Sequence, residues 1–174
     1  QHTASVVQHI TYFNRTTQPM SEILLLVPPR YFAGAFAQSS LTGDLVAQTR
    51  ENGIQTMVSL DPALQPGTST TIQIIFTLNL PNRPGIFGWS AMQTNLVDWF
   101  PIIPPFNPDT GWEVNERVVD STNTIVGEYI AAETADFSLR LRLRGAAQNL
   151  TVAASCEGTS KPDFIEYHLP LARS

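Results

Sequence analysis

In TIQIIFTLNL (71–80), Ile72, Ile74, Phe76, Leu78 and Leu80 fall on one side of an extended chain. Thr71, Gln73, Thr77 and Asn79 fall on the other, and Ile75 alone breaks the alternation. Successive side chains of a strand point to opposite faces, so this period of two marks a half-buried strand. The pattern is cleaner still in FSLRLRLR (137–144), where Phe137, Leu139, Leu141 and Leu143 alternate with Arg140, Arg142 and Arg144. Shorter segments of the same kind predict strands over 5–13, 21–27, 43–49, 53–60, 150–155 and 164–171. Arg50-Glu51-Asn52-Gly53 suits a tight hairpin and Gln65-Pro66-Gly67 a type II turn. The best helical attempt, EYIAAETADF (128–137), sits between strands and is ambiguous. Strands at roughly ten-residue spacing with turns between them predict an all-β, antiparallel sandwich or open barrel.

One stretch leaves the alternation. VDWFPIIPPFNPDTGW (97–112) carries Trp99, Phe100, Phe106 and Trp112 among Pro101, Pro104, Pro105 and Pro108. Proline fixes φ and biases its predecessor to extended geometry, so this stretch is neither a helix nor a central strand. It reads as a stiff, aromatic loop that covers a core or faces a partner. It divides an N-terminal meander from a C-terminal group of strands. Because neither side carries enough strands for a good sandwich, residues 1–174 are read as a single domain with a long insertion.

Composition narrows the function. The chain has 43% hydrophobic and 14% charged residues and a net charge of −5, which argues against a general nucleic-acid binder. No apolar run reaches the roughly eighteen residues that would span a membrane as a helix. The one cysteine, Cys156, allows neither an intrachain disulfide nor a thiolate zinc site and leaves the compartment open. A chain beginning with Gln1 is expected to be a processed or excised piece. Asn14-Arg15-Thr16 and Asn149-Leu150-Thr151 are formal glycosylation sequons.

Catalytic constellations are sparse. His2, His9 and His168 are far apart in sequence, and no H-E-x-x-H, nucleophile elbow or Gly-rich phosphate loop occurs. Glu113, Glu116 and Asp120 could form a carboxylate pair for glycoside chemistry, although solvated loop acids are the commoner outcome. Arg140, Arg142 and Arg144 could hold a phosphate or carboxylate, although a wet sheet face paired to cross-strand acids is commoner. By its own residues the chain is not an enzyme.

Read in order, the segments resemble the N-terminal β domain of aminopeptidase N-type (gluzincin) zinc metallopeptidases, in a bacterial branch. TYFNRTTQPMSEILLLVPP carries the family's strand, Tyr-x-Asn and apolar strand ending in Pro at Tyr12, Asn14, Leu24 to Leu26 and Pro28. VSLDPALQPGTSTTIQIIFTLNLP is similar to its Pro-Gly turn and following strand, through Leu60, Leu64, Pro66, Gly67, Ile72, Ile74 and Phe76. WFPIIPPFNPDTGW resembles a W-Y-P-x-x-x-P-Y-x-x-x-G-W block at Trp99, Phe100, Pro101, Pro105, Phe106, Gly111 and Trp112. Gly127, Glu128, Glu133, Ala135, Asp136, Phe137 and Ala153 to Ser155 match a later block, and LPLARS resembles the start of the strand that ends the domain.

The resemblance implies a twisted, saddle-like β-sandwich that packs on a downstream thermolysin-like domain of the same polypeptide and helps close its cleft. Zinc would lie in that missing catalytic domain, and this chain would hold no cofactor. Trp99, Phe100, Pro101, Phe106 and Trp112 would face the neighbouring domain or the end of a peptide substrate. Gln93 is a guess for the family's substrate-anchoring residue. The compartment stays open between cytoplasm and export. The alternative from another class is an autonomous extracellular β-sandwich that binds carbohydrate or protein through the same aromatics.

Overall fold

Residues 2–114, 135–144, 151–154 and 156–169 are described by the structure, a computed structural model. The chain folds as two compact units, Gln1–Ala132 and Glu133–Ser174. Among the described residues the regular elements are β-strands and one 3-10 turn, Pro28–Tyr31, and the named strands all pair antiparallel. The expected all-β, sandwich-like fold is therefore found, with the long proline- and aromatic-rich loop. The ambiguous segment 128–137 lies almost wholly outside the described residues.

The first unit opens with β1 (Thr3–Phe13), β2 (Met20–Leu26), β3 (Phe36–Gly43), β4 (Val46–Asn52), β5 (Gln55–Leu64) and β6 (Ser69–Asn79). These make two three-stranded sheets, ordered β1-β6-β3 and β2-β5-β4. The predicted meander is thus corrected: the chain changes sheet repeatedly, and the six strands before the aromatic loop already build both sheets. In β6 the alternation is realised, with Ile72, Ile74, Phe76 and Leu78 at most 1% exposed. Opposite them on the same face stand Ala4, Val6, Gln8 and Ile10 of β1. The second sheet answers with Ile23, Leu25, Val58 and Leu60, and one apolar cluster joins the two. Strand β2 carries a continuous apolar run because Ile23 to Leu26 are buried on both faces.

Local details explain the departures from expectation. Strand β3, FAQSSLTG, carries too few apolar residues to show a period, and its register shifts between Gln38 and Ser40. The hairpin between β4 and β5 turns at Gly53-Ile54, past the expected position, with Asn52 opposite Gln55. Gly53 has a φ of +58° at the first central position, which glycine adopts without steric cost. The Gln65-Pro66-Gly67 turn forms where predicted, closed by Thr68 N–H donating to Gln65 O at 3.2 Å. Pro62, after a cis Asp61–Pro62 bond, sits where β5 pauses its pairing between Leu60 and Leu64. Arg30 spans the second sheet's edge, donating to Thr56 Oγ1 at 2.7 Å and pairing with Glu51.

The second unit is a three-stranded sheet, β11 (Phe137–Leu141), β12 (Gly158–Ser160) and β13 (Ile165–Leu169), in the order β11-β13-β12. The strand predicted over 150–155 is not formed at its described residues 151–154, and β12 takes the edge position instead. Its GTS sequence has no apolar alternation to reveal it, because all three residues are exposed. Gly158 is needed there: a Cβ would stand 2.6 Å from the Tyr167 ring and from Ile165.

Candidate functional site

The segment leaving β6 is tied down before it reaches the aromatic loop. Leu80 N–H donates to His2 O at 2.9 Å, and Trp89 Nε1–H donates to Leu80 O at 3.1 Å. The Trp89 indole stacks on the His2 ring with centroids 3.7 Å apart. Trp89 belongs to β7 (Phe87–Trp89), which pairs with β8 (Thr94–Leu96) in a short hairpin. Phe87 anchors that hairpin in the core against Phe32, at 5.2 Å. On and beside it stand exposed apolar side chains, Met92 at 91%, Val97 at 48%, Ile86 at 38% and Leu96 at 37%. Val97 N–H donates to Ile86 O at 3.0 Å, so Ile86 and Val97 pair one rung beyond Phe87 and Leu96.

Asp98, at a φ of +50°, turns the chain from the hairpin into the loop. Aspartate tolerates this left-handed conformation better than most residues do. The loop then meets both sheets. Gln8, on the core face of β1, donates through Nε2 to Pro101 O at 2.8 Å. Leu26 and Ile102 exchange both backbone hydrogen bonds, at 2.8 and 2.9 Å, and so extend the β2 edge by one residue. Ile103 enters the core and is 8% exposed, and Pro101 and Pro104 are buried beside it.

The six residues expected to face a domain or substrate are therefore divided. Trp99 and Phe100 meet edge to face at 5.0 Å, and Phe106 and Trp112 at 4.8 Å. All four are half-buried and packed against the core cluster. Phe106 and Trp112 sit on a two-rung hairpin, β9 (Phe106–Asn107) and β10 (Gly111–Trp112), and Trp112 also lies 6.1 Å from Tyr12. Pro101 is buried. Gln93 is exposed at the tip of the β7–β8 hairpin, where its carbonyl accepts from Ser90 N–H at 2.8 Å. Sequence reasoning missed Ile86, Met92, Leu96 and Val97, because scattered apolar residues with no period carry no signal of exposure. It also missed Gln8, whose polar side chain interrupts an apolar face.

The remaining chemical candidates separate. His9 contacts Gln73 Nε2 at 2.8 Å on the exposed face of the first sheet. Glu113 is exposed, whereas Glu116 and Asp120 lie outside the described residues. No group of three His, Cys, Asp or Glu side chains suited to a metal ion occurs among the described residues. In the second unit Arg140 pairs with Glu166 directly opposite, at 2.8 Å, as a wet sheet face would. The Arg140 hydrogen bond holds the Glu166 carboxyl below the usual carboxylate range. Comparison with known proteins finds no family model, curated protein or solved structure that matches the chain.

Proposed function

We propose that this chain is a non-catalytic scaffold domain of a zinc aminopeptidase-like protein, packing on a downstream catalytic domain and helping to close its cleft. The observation that carries a partner-facing role is the group of exposed apolar side chains on and beside the β7–β8 hairpin, Met92, Val97 and Ile86. Exposed apolar side chains gathered on one element are characteristic of a surface that another domain covers. The hairpin runs into a loop fastened to β1 and β2, so the surface is held on a rigid support. Trp99 and Phe100, edge to face and packed on the core, continue that support. In this reading the peptide end meets the hairpin and loop, Gln93 lies near it, and zinc belongs to the partner domain.

The test is made on the full-length gene product. Stoichiometric zinc by elemental analysis and release of a fluorophore from aminoacyl substrates are expected. Met92→Asp with Val97→Asp is expected to lower turnover while leaving zinc content unchanged. A gene product without zinc and without turnover sinks the peptidase-related reading, and full turnover in the double variant removes the hairpin from it. Tryptophan fluorescence of the chain is expected to stay flat on glycan titration, because these aromatics pack on one another and on the core. A saturable shift would instead support the carbohydrate-binding alternative.

A further inference from the structure

The second unit gathers positive charge around one open cavity. Strands β11 and β13 pair as far as Leu141 opposite Ile165. Beyond that rung the chain continues through Arg142, Leu143 and Arg144. It passes the turn 161–164 that joins β12 to β13, which is closed by Lys161 N–H donating to Phe164 O at 2.8 Å. Together these segments line a cavity of about 600 Å³.

Arg142, Arg144 and Lys161 stand on its wall, against one acid, Asp163. They are three of only ten basic residues in a chain of net charge −5, so overall basicity does not explain their meeting here. The neighbouring Arg140 is spent on Glu166 and lies 5.7 Å over the Phe164 ring. Arg142 is positioned rather than spent. Its Nε–H donates to the Asp163 backbone carbonyl at 3.1 Å, which orients the guanidinium and leaves its two terminal amino groups for a ligand. Among the described residues, neither Arg144 nor Lys161 forms an ion pair, and the Asp163 carboxylate pairs with none of the three.

Unspent donors of one sign around a concavity raise the local concentration of anions, and a guanidinium fork matches two oxygens of one group. We infer that this cavity binds the oxyanion group of a small ligand, a phosphate or a carboxylate. The terminal amino groups of Arg142 form the fork, and Arg144 and Lys161 supply the balancing charge. The inference uses the second unit alone and stands whether or not the chain serves a peptidase.

The test is isothermal titration calorimetry on the whole chain at low ionic strength, with inorganic phosphate in one arm and acetate in the other. Saturable heat is expected for at least one anion, and the stronger arm identifies the source of the oxyanion. Arg144→Gln and Lys161→Gln are each expected to weaken binding about tenfold, the usual scale for one charge-assisted contact. Arg50→Gln, in the first unit, should leave it unchanged. Circular dichroism checks that each variant folds, and Lys161→Gln, on an exposed turn, decides the matter if Arg144→Gln does not fold. No saturable heat in either arm overturns the site, as does equal affinity in the folded variants and the unaltered chain.

Discussion

Asn14 has no exposed surface and four side-chain hydrogen bonds. Its Nδ2 donates to Gln18 O and Leu64 O, both at 2.9 Å, and its Oδ1 accepts from Thr16 N–H and Thr16 Oγ1. One amide thus joins the β1–β2 connection to the end of β5. A nitrogen so committed is no glycan acceptor in the folded chain, so the Asn14 sequon is structural. Asn14→Ala leaves the carbonyl of the buried Leu64 without this bond and releases Thr16 and Gln18, and a loss of about 2–3 kcal/mol is expected in urea unfolding. Glu166 makes a second prediction at this scale. Its folded-state pKa is depressed by Arg140, so its contribution is present above the ordinary carboxylate range and fades as pH falls through the lowered value. Both side chains are solvent-accessible, and the effect on stability is correspondingly small. Carboxyl NMR titration should find Glu166 below the usual range, and Arg140→Gln should return it there.

Among the elements, the aromatic loop behaves as part of the core it borders. Ile103 enters the core at 8% exposure, and Ile103→Ala is expected to cost about 2–4 kcal/mol through lost burial and the cavity left behind. Hydrogen exchange at the Leu26 and Ile102 amides should accelerate in that variant if the loop and β2 open together. Strands with a clear period of two, such as β6 and β11, were legible in the sequence because one of their faces is dry or drier. The stiffness of 97–112 was legible from proline alone. Strands β3 and β12 were not legible. The first is broken by a register shift, and the second is held by backbone pairing beside Tyr167 with no apolar pattern of its own. The site was legible in composition and not in orientation. Sequence placed Trp99 and Trp112 in one loop, but only packing turns them inward and leaves Met92 and Val97 outside.

For the molecule as a whole, Phe76 is the position where the first unit is most exposed to damage. It is 1% exposed on the inner strand of the first sheet, 4.8 Å from the Phe36 ring, and belongs to the cluster shared with Val58 and Ile23 of the second. Phe76→Ala is expected to cost about 3–5 kcal/mol. Hydrogen exchange at Ile74 of one sheet and Val58 of the other, both on central strands, should report a single loss of protection. Retained protection at Val58 would mean that the two sheets do not depend on a common core.

The order β1-β6-β3 also has a consequence in time. Strands β1 and β3 are both edges, and β6, the strand between them, is the last of the six to be synthesised. The β4–β5 hairpin closes across two residues as soon as it emerges, whereas β1 waits until Ser69–Asn79 has left the ribosome. Pairing of β2 with β5 and the Asn14–Leu64 bond bring the end of β1 close to the start of β6 beforehand, but the pairing itself must wait. A nascent chain halted before Ser69 therefore carries two amphipathic strands with nothing to pair with. Ribosome-bound chains halted before Ser69 are accordingly expected to self-associate more readily than chains halted after Asn79 has emerged.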